Sequence, residues 1–373
     1  MGSDQPLNIL HVLAPAPAGG LESVVLQTTK GLRARGHNVT VAAVLQPGSE
    51  HSHPFVDSLR GHNAPVACVV VGARAYQTER QAIARLIREH DIHVVHTHGY
   101  RPDVIDGPVA HSLDRAHVTT LHGFVGGSFR SRLYERLQIR AARKADAAIA
   151  VSAPILQRLS EAGAAGHAHL VRNAVLPDAQ TLDRAASRDA LRLPHEACLV
   201  GWVGRVSHEK GPDVFVEALA KTPAWVHGAV IGSGPMMDAI QMQASALGVA
   251  DRLHFPGMFP NARRYFAALD VLALTSRTEG TPMVLLEAMW AGVPILATSV
   301  GGIPDLLNGQ IAQLCASEDA TAIGAAMTKL ASDPALRTTQ SGNASEYVAT
   351  HFDPDQWIIA YEQIYRTVAR LTR

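Results

Sequence analysis

"CLVGWVGRVSHEKGPDVFVEALAKT", residues 198–222, begins a pattern the chain has already used once. An apolar, β-branched run leads into a glycine-containing loop and then into a segment with helical spacing of its apolar residues. "LNILHVLAPAPAGGLESVVLQTTKGL", residues 7–32, has the same layout with few of the same letters. A strand–loop–helix unit that restarts halfway along marks a second domain of the same kind as the first.

Outward from these two starts, short apolar runs alternate with amphipathic stretches. The first half offers strands at 8–13, 38–45, 66–71, 93–97, 117–121 and 147–152. The second adds 225–231, 252–257, 271–276, 293–298 and 310–315 to the strand that opens at Cys198. Strands separated by helices and short loops imply parallel, doubly wound sheets. The segment "LESVVLQTTKGLRARG" ends on Gly36, as a helix C-terminus prefers. The fold expected is α/β, with two Rossmann-like domains facing a central cleft. The N-terminal domain covers 1–175 and the C-terminal one 190–352, joined through "NAVLPDAQTLDRAAS" at 173–187. Residues 353–373 form a last helix crossing back to the first domain, with Trp357, Tyr361, Ile364 and Val368 at helical spacing. Ligands of such folds bind at the carboxyl ends of the strands.

Bulk properties agree with a folded, two-domain chain. Its 373 residues exceed one ordinary core. The 33 basic and 33 acidic residues cancel, so no global attraction to nucleic acid or membrane is expected. Cys68, Cys198 and Cys315 share no ligand or disulfide spacing, which suits a reducing compartment. The N-terminus lacks a basic, then apolar, signal pattern, and no run approaches the roughly 20 apolar residues of a membrane span. A soluble, cytoplasmic protein is expected.

Chemistry concentrates in "EGTPMVLLE", residues 279–287. Thr281 is placed to cap a helix whose first residue is Pro282. The N–H groups of Met283 and Val284 then point out of a helix N-terminus, an anion site. Glu287, four residues past Met283, lies about 6 Å further along the axis on the same face. A phosphate on the N–H groups and a sugar hydroxyl pair on Glu287 would match a nucleotide, and Glu279 would reach beyond the phosphate. The alternative is a helix with a tolerated acid at its exposed edge. "GRVSHEKG" (204–211) adds Arg205 and Lys210, two cations able to clamp a diphosphate as it leaves. In isolation a basic loop pair is more often solvated surface. Gly232 and Gly234 in "GSGP", and Gly19 and Gly20 in "PAPAGGLE", open further helices. Each is weak alone, since any tight turn looks similar.

In order and separation, "GGLE" (19–22), "VVHTHG" (94–99), "TLHG" (120–123), "GRVSHEKG", "GSGP" and "EGTPMVLLEAMWAGVPILATSVGGIPD" (279–305) resemble the retaining glycosyltransferases of family 4, which have the GT-B fold. The two glutamates with seven residues between them are the most specific part. The resemblance implies that Glu287 holds the ribose of a nucleotide-sugar donor. Glu279 would sit by the transferred sugar, with backbone N–H groups near Gly280, Thr281 and Met283 helping. Arg205 and Lys210 would bind the diphosphate, Gly20 would approach the phosphates on closure, and His122 would lie near the donor sugar. It also implies transfer with retention and usually without a metal, the departing phosphate oxygen taking the acceptor's proton. UDP-sugars are the family's usual donors, with GDP- and ADP-sugars less common.

Two metal readings compete. His96, His98 and His122 are a conceivable zinc set, but two of them belong to a family motif that is not a metal site. Asp353 and Asp355 form a D-x-D, which more simply caps the last helix. No metal or other cofactor is expected. On the acceptor side, "FVGGSFRSRLYERLQIRAARKAD" (124–146) puts Arg132, Arg136 and Arg140 in one stripe beside Phe129, Leu133 and Leu137. That face suits anionic lipid headgroups or a phosphorylated, lipid-linked acceptor, or is an ordinary solvated helix face. The function expected is sugar transfer to a glycan, lipid-linked or small-molecule acceptor in cell-envelope or exopolysaccharide assembly. The protein would then work in the cytoplasm, at the inner face of the membrane where the acceptor is lipid-linked. The rivals are a nucleotide-sugar epimerase or hydrolase, and a silent nucleotide-sugar-binding subunit. The first needs an acid–base pair at the sugar. The second should have lost Arg205, Lys210 or a glutamate.

Overall fold

A computed structural model describes residues 5–17, 19–123, 129–176, 181–259 and 261–369, with 129–131 described by backbone alone. Parts of three quoted stretches (Ala18, 124–128 and 177–180) therefore lie outside the described residues, as do Leu371 and the side chains of Phe129 and Arg130.

The chain divides into two compact units, Met1–Leu176 with Pro354–Arg373, and Pro177–Asp353. Unit 1 holds seven strands: β1 (Asn8–Leu13), β2 (Asn38–Leu45), β3 (Val66–Val70), β4 (Val94–His98), β5 (Ala116–Leu121), β6 (Ala147–Ala150) and β7 (Ala168–Leu170). They lie in the order β3-β2-β1-β4-β5-β6-β7. Unit 2 holds β8 (Cys198–Val203), β9 (Val226–Ile231), β10 (Leu253–Gly257), β11 (Val271–Leu274), β12 (Ile295–Thr298) and β13 (Ala312–Cys315), in the order β10-β9-β8-β11-β12-β13. Every strand pair is parallel. In each unit the first strand sits between the second and the fourth. That reversal is the switch point at which doubly wound sheets open a crevice for ligands. The doubly wound α/β reading is borne out, and the two sheets share one winding.

Helices on both faces explain why the central strands read as unbroken apolar runs. All residues of β4, β5, β11 and β12 are buried. β7, the three-residue edge strand Ala168–Leu170, went unread because its letters, Ala-His-Leu, carry neither alternation nor β-branching.

The last helix, Pro354–Val368, belongs to unit 1. Trp357, Ile358, Tyr361, Ile364 and Tyr365 are buried, while Val368 is only half-buried. The helix comes so close to the helix Gly20–Ala34 that a Cβ at Gly31 would stand 2.5 Å from Ile358. Glu362 pairs with Arg35 (2.5 Å) and Arg366 (2.8 Å) on its outer side. Among the described residues no helix is long and apolar enough to cross a membrane.

Candidate active site

In unit 2 the loops after β8, β9, β11 and β12 meet at the carboxyl edge, around the β8/β11 switch point. The loop after β8 is held by backbone. Val206 N–H donates to the Ser233 carbonyl (2.9 Å), and Met236 N–H donates to the Val206 carbonyl (3.0 Å). That exchange locks Arg205 and its neighbours to the Gly232–Gly234 turn. A Cβ at Gly232 would stand 1.9 Å from the Gly204 carbonyl, and one at Gly234 2.3 Å from that of Val206. These glycines permit loop-on-loop packing. The bare turn pattern could not reveal which loop they touch.

Glu279 and Lys210 are joined directly. Lys210 Nζ donates to both Glu279 carboxylate oxygens, at 2.7 and 2.8 Å, and Ser276 Oγ donates to Oε1 at 2.7 Å. The Glu279 side chain is 6% exposed and that of Lys210 30%. Breaking a buried pair by removing one partner is costly, because the other charge is left uncompensated. Arg205 lies exposed on the same loop. The glutamate's backbone is fixed by Gly301, whose φ of +55° and 1.9 Å approach of its would-be Cβ to the Glu279 carbonyl exclude any other residue.

Two residues that the sequence reading passed over hold this frame. Arg277 binds Asp213 through both terminal nitrogens (2.8 and 2.7 Å), bonds Glu318, and donates to the His208 carbonyl (2.7 Å). Its own N–H donates to the Glu209 carbonyl (2.9 Å). Asp213 and Glu318 together lift the Arg277 pKa above its ordinary value. Thr275 Oγ1 donates to the Gly211 carbonyl (2.6 Å) and accepts from Trp202 Nε1 (3.2 Å). Only the position of these residues just before the Glu279 motif hinted at them.

The helix after Glu279 runs over Met283–Trp290. Pro282, with φ −71° and ψ 116°, stands at the capping position instead of inside the first turn. The boundary shifts by one residue, and Thr281 precedes the capping position. Proline offers no side-chain acceptor, so the residue at the capping position makes no side-chain cap. Met283, Leu285, Leu286, Ala288 and Met289 are buried. Val284 and Glu287 are half-buried and three residues apart, so they share the open face. Glu287 thus faces out with Val284, and Met283 turns into the core.

Unit 1 shows a different chemistry at its edge. Gly19 and Gly20 open the helix Gly20–Ala34, where Ser23 N–H donates to the Gly19 carbonyl (3.0 Å). Glu22, buried in the first turn, accepts from Ala16 N–H (2.7 Å) and pins the loop before the glycines. Four histidines stand on one face of the central strands. His11 on β1 pairs in register with His96 on β4. His11 Nδ1 lies 2.8 Å from His98 Nε2, and His98 Nδ1 lies 3.1 Å from His122 Nε2. His96 Nδ1 meets the Tyr365 hydroxyl (2.6 Å), and its Nε2 meets Thr120 Oγ1 (2.8 Å). Burial holds all four uncharged, lowering His11 to about 3 and His122 to about 4. Nitrogens of His11, His96 and His98 lie within 4.8 Å of one another, close enough to consider a cation. Both nitrogens of His96 and of His98 are engaged within the cluster, and only His11 Nε2 lacks a partner. The set gathered is therefore not the His96–His98–His122 trio that the motifs suggested: His122 contacts it at one end, and Tyr365 comes from the last helix. Asp355 lies in the first turn of that helix, with Asp353 just before it.

The basic helix runs over Phe129–Ala142. Arg132, Arg136 and Arg140 are exposed, and so are Leu133 (45%) and Leu137 (39%) between them. The opposite side is anchored by Gln138, which donates to Asp103 Oδ2 (2.8 Å), and by Tyr134, stacked on Tyr100 at 4.7 Å. Asp103 also accepts from Thr97 (2.5 Å) and Thr119 (2.7 Å), and burial raises its pKa to about 6.

With this geometry in view, comparison with known proteins gives a consistent answer. Residues 18–178 match the family described as Glycosyltransferase Family 4, and residues 197–333 match Glycosyl transferases group 1. A GDP-mannose-dependent alpha-(1-6)-phosphatidylinositol monomannoside mannosyltransferase from Mycolicibacterium smegmatis is 29% identical over 365 residues, covering 92% of each chain. The lipopolysaccharide core mannosyltransferase LpsB of Rhizobium meliloti is 29% identical over 50% of this chain and 57% of its own length. The chain spans about half the length of the first curated relatives it matches. Among solved structures, HepE from Anabaena with UDP and glucose superposes with a TM-score of 0.84 at 21% identity, over 97% of this chain and 100% of that one. Sucrose-phosphate synthase from Thermosynechococcus elongatus gives 0.81 at 22%, over 97% and 98%. Two parallel sheets wound alike, and family matches over both halves, identify the chain as a member of glycosyltransferase family 4 with the GT-B fold.

Proposed function

We propose that the chain is a retaining glycosyltransferase that takes a sugar from a nucleoside-diphosphate sugar, with UDP-sugars the first donors to test. The observation that carries this is the Lys210–Glu279 pair directly before the N-terminus of the helix Met283–Trp290. Such a terminus suits a phosphate. Lys210 and Arg205 offset the charge that grows on a departing diphosphate. Glu287, half-buried on the open face of the same helix, accepts ribose hydroxyls. Glu279 accepts hydroxyls of the transferred sugar. The C1–phosphate bond breaks as the acceptor oxygen bonds to C1, and the acceptor's proton passes to the leaving phosphate oxygen. The reaction we propose is metal-independent, with exposed Arg205 and Lys210, held by Glu279, as the cations at the phosphate.

Support for the donor class comes from a relative named as GDP-mannose-dependent and from a similar fold solved with UDP. The role we propose is in cell-envelope or exopolysaccharide assembly, in the cytosol at the inner membrane face, in keeping with relatives named for lipopolysaccharide core and phosphatidylinositol mannoside synthesis. The exposed Arg132–Arg136–Arg140 stripe with Leu133 and Leu137 suits an anionic lipid surface. Replacing all three arginines with glutamine should abolish sedimentation with phosphatidylglycerol vesicles, and unchanged sedimentation removes the membrane role. For the donor, thermal shift is measured over UDP-, GDP- and ADP-sugars, with and without EDTA. One nucleotide class should stabilise the protein, and Glu287→Ala should remove most of that shift. If no nucleotide sugar stabilises the wild type, the donor reading fails.

A further inference from the structure

The carboxyl edge of unit 1 carries a feature that the donor chemistry leaves unused. Two consecutive helices there each begin with an exposed tyrosine. Tyr76 opens the helix Tyr76–Glu89 and is 43% exposed, and Tyr100 opens the helix Tyr100–Ile105 and is 50% exposed. Both rings are buttressed. Tyr100 lies parallel to Tyr134, with 4.7 Å between centroids and 11° between planes. The Arg101 guanidinium stands 5.3 Å from the Tyr76 ring centroid. Arg101 is itself fixed, reaching the fully buried Glu79 through Nη2 (2.5 Å) and Nε (3.1 Å) and the Ala73 carbonyl through Nη1 (3.0 Å).

From this arrangement we infer that Tyr100 and Tyr76 form a shelf for a pyranose ring of the acceptor, so that the acceptor is a glycan or glycoside. The inference rests on the reading of the chain as a sugar transferase. A pyranose offers one face of C–H groups, which lies flat on an aromatic ring, and a rim of hydroxyls. Rigid rings held by neighbours lose little freedom on binding, and their hydroxyls offer both donor and acceptor to that rim. Arg101 Nε, Nη1 and Nη2 already bond Glu79 or the Ala73 carbonyl, so this guanidinium braces the shelf. Position supports the same reading. Tyr100 follows the end of β4 by two residues, at the carboxyl edge where ligands of such sheets bind.

Saturation-transfer NMR on the whole chain tests the shelf, using methyl glycosides of glucose, mannose, galactose and N-acetylglucosamine and their α-linked disaccharides. At least one should show transfer strongest to the protons of a single ring face. Tyr100→Ala should weaken its binding about tenfold, whereas Tyr100→Phe should stay within about twofold, since the ring is kept. Tyr76→Ala gives a second reading that leaves the Tyr100–Tyr134 stack intact. Melting curves of all three variants check that they fold. Equal binding by wild type, Tyr100→Ala and Tyr76→Ala overturns the shelf. So does binding of nucleotide sugars by the wild type when no glycoside binds. Glycoside binding with no response to any nucleotide sugar leaves the shelf standing and removes the donor reading alone.

Discussion

Lys210 and Glu279 neutralise each other within the loops that would hold a donor, and Ser276 orients the carboxylate between them. A cation already aligned this way pays little ordering entropy when phosphate arrives. Lys210→Met leaves a nearly buried carboxylate with one hydroxyl partner. It should cut kcat/KM at least a hundredfold and lower stability by about 3 kcal/mol. Glu279→Gln keeps the shape and removes the charge, so its cost should fall on turnover more than on melting temperature. Steady-state kinetics beside thermal melts separate the two variants, and equal melting losses would contradict the assigned roles. These residues were legible because "GRVSHEKG" and "EGTPMVLLE" match, in order and separation, the motifs of the family the sequence resembles. That Lys210 binds Glu279 itself was not, since 69 residues separate them and only the folded loops bring them together.

At the scale of elements, the site depends on backbones packed against each other. Gly301 has a φ of +55° and no room for a Cβ beside the Glu279 carbonyl. Gly301→Ala should displace the Glu279 loop, cost about 2–3 kcal/mol and remove most activity, read by denaturant melts and turnover. Retained activity would show that the loop tolerates movement. On unit 1 the last helix is tied to the sheet by the Tyr365 hydroxyl on His96. Tyr365→Phe leaves that buried nitrogen without its partner and should cost about 1–3 kcal/mol in the same melts. The strands were readable almost residue by residue from their apolar runs. The helix beginning at Met283 was misjudged by one residue, because a proline suits either the cap or the first turn, and only its ψ decides. Tyr365 was missed because the helical stripe was read through Val368, while the buried face turns toward Tyr365.

At the scale of the whole molecule, the unequal placing of histidines gives the two units different responses to acid. In unit 1, burial lowers His11 and His117 to about 3 and His122 to about 4, with His96 and His98 also lowered. A lowered histidine pKa gives stability that is complete above the unfolded value near 6.5 and is lost as pH falls toward the folded one. Each such group weakens the fold by up to about 1.4 kcal/mol per pH unit in that window. Asp103 acts oppositely: raised from 3.8 to about 6, it favours the fold most below pH 3.8 and loses that contribution as pH rises through 6. Asp106, which burial also raises well above its ordinary value, acts as Asp103 does. Five histidines outweigh the two carboxyls, so unit 1 should loosen between pH 7.5 and 5.5. Hydrogen exchange, corrected for intrinsic rates, should rise in β1 and β4 peptides more than in β8 and β11 peptides. Equal rises would contradict this balance.

The winding of both sheets was legible from the repeated strand–loop–helix start, whereas the histidine cluster was only half visible. His96 and His98 announce themselves by alternation, but His11 joins them through β-pairing and Tyr365 from the far end of the chain. The central claim is sugar transfer from a nucleoside diphosphate with retention at C1, through Glu279 and Lys210. The most direct measurement is proton NMR of the reaction mixture, with UDP-, GDP- and ADP-sugars and the glycosides above. Release of the nucleoside diphosphate is to be followed together with the anomeric signal of the first product. The account predicts release from one nucleotide class, a product with the donor's anomeric configuration, and loss of both in Lys210→Met. An inverted product, or release unchanged in Lys210→Met, would contradict it.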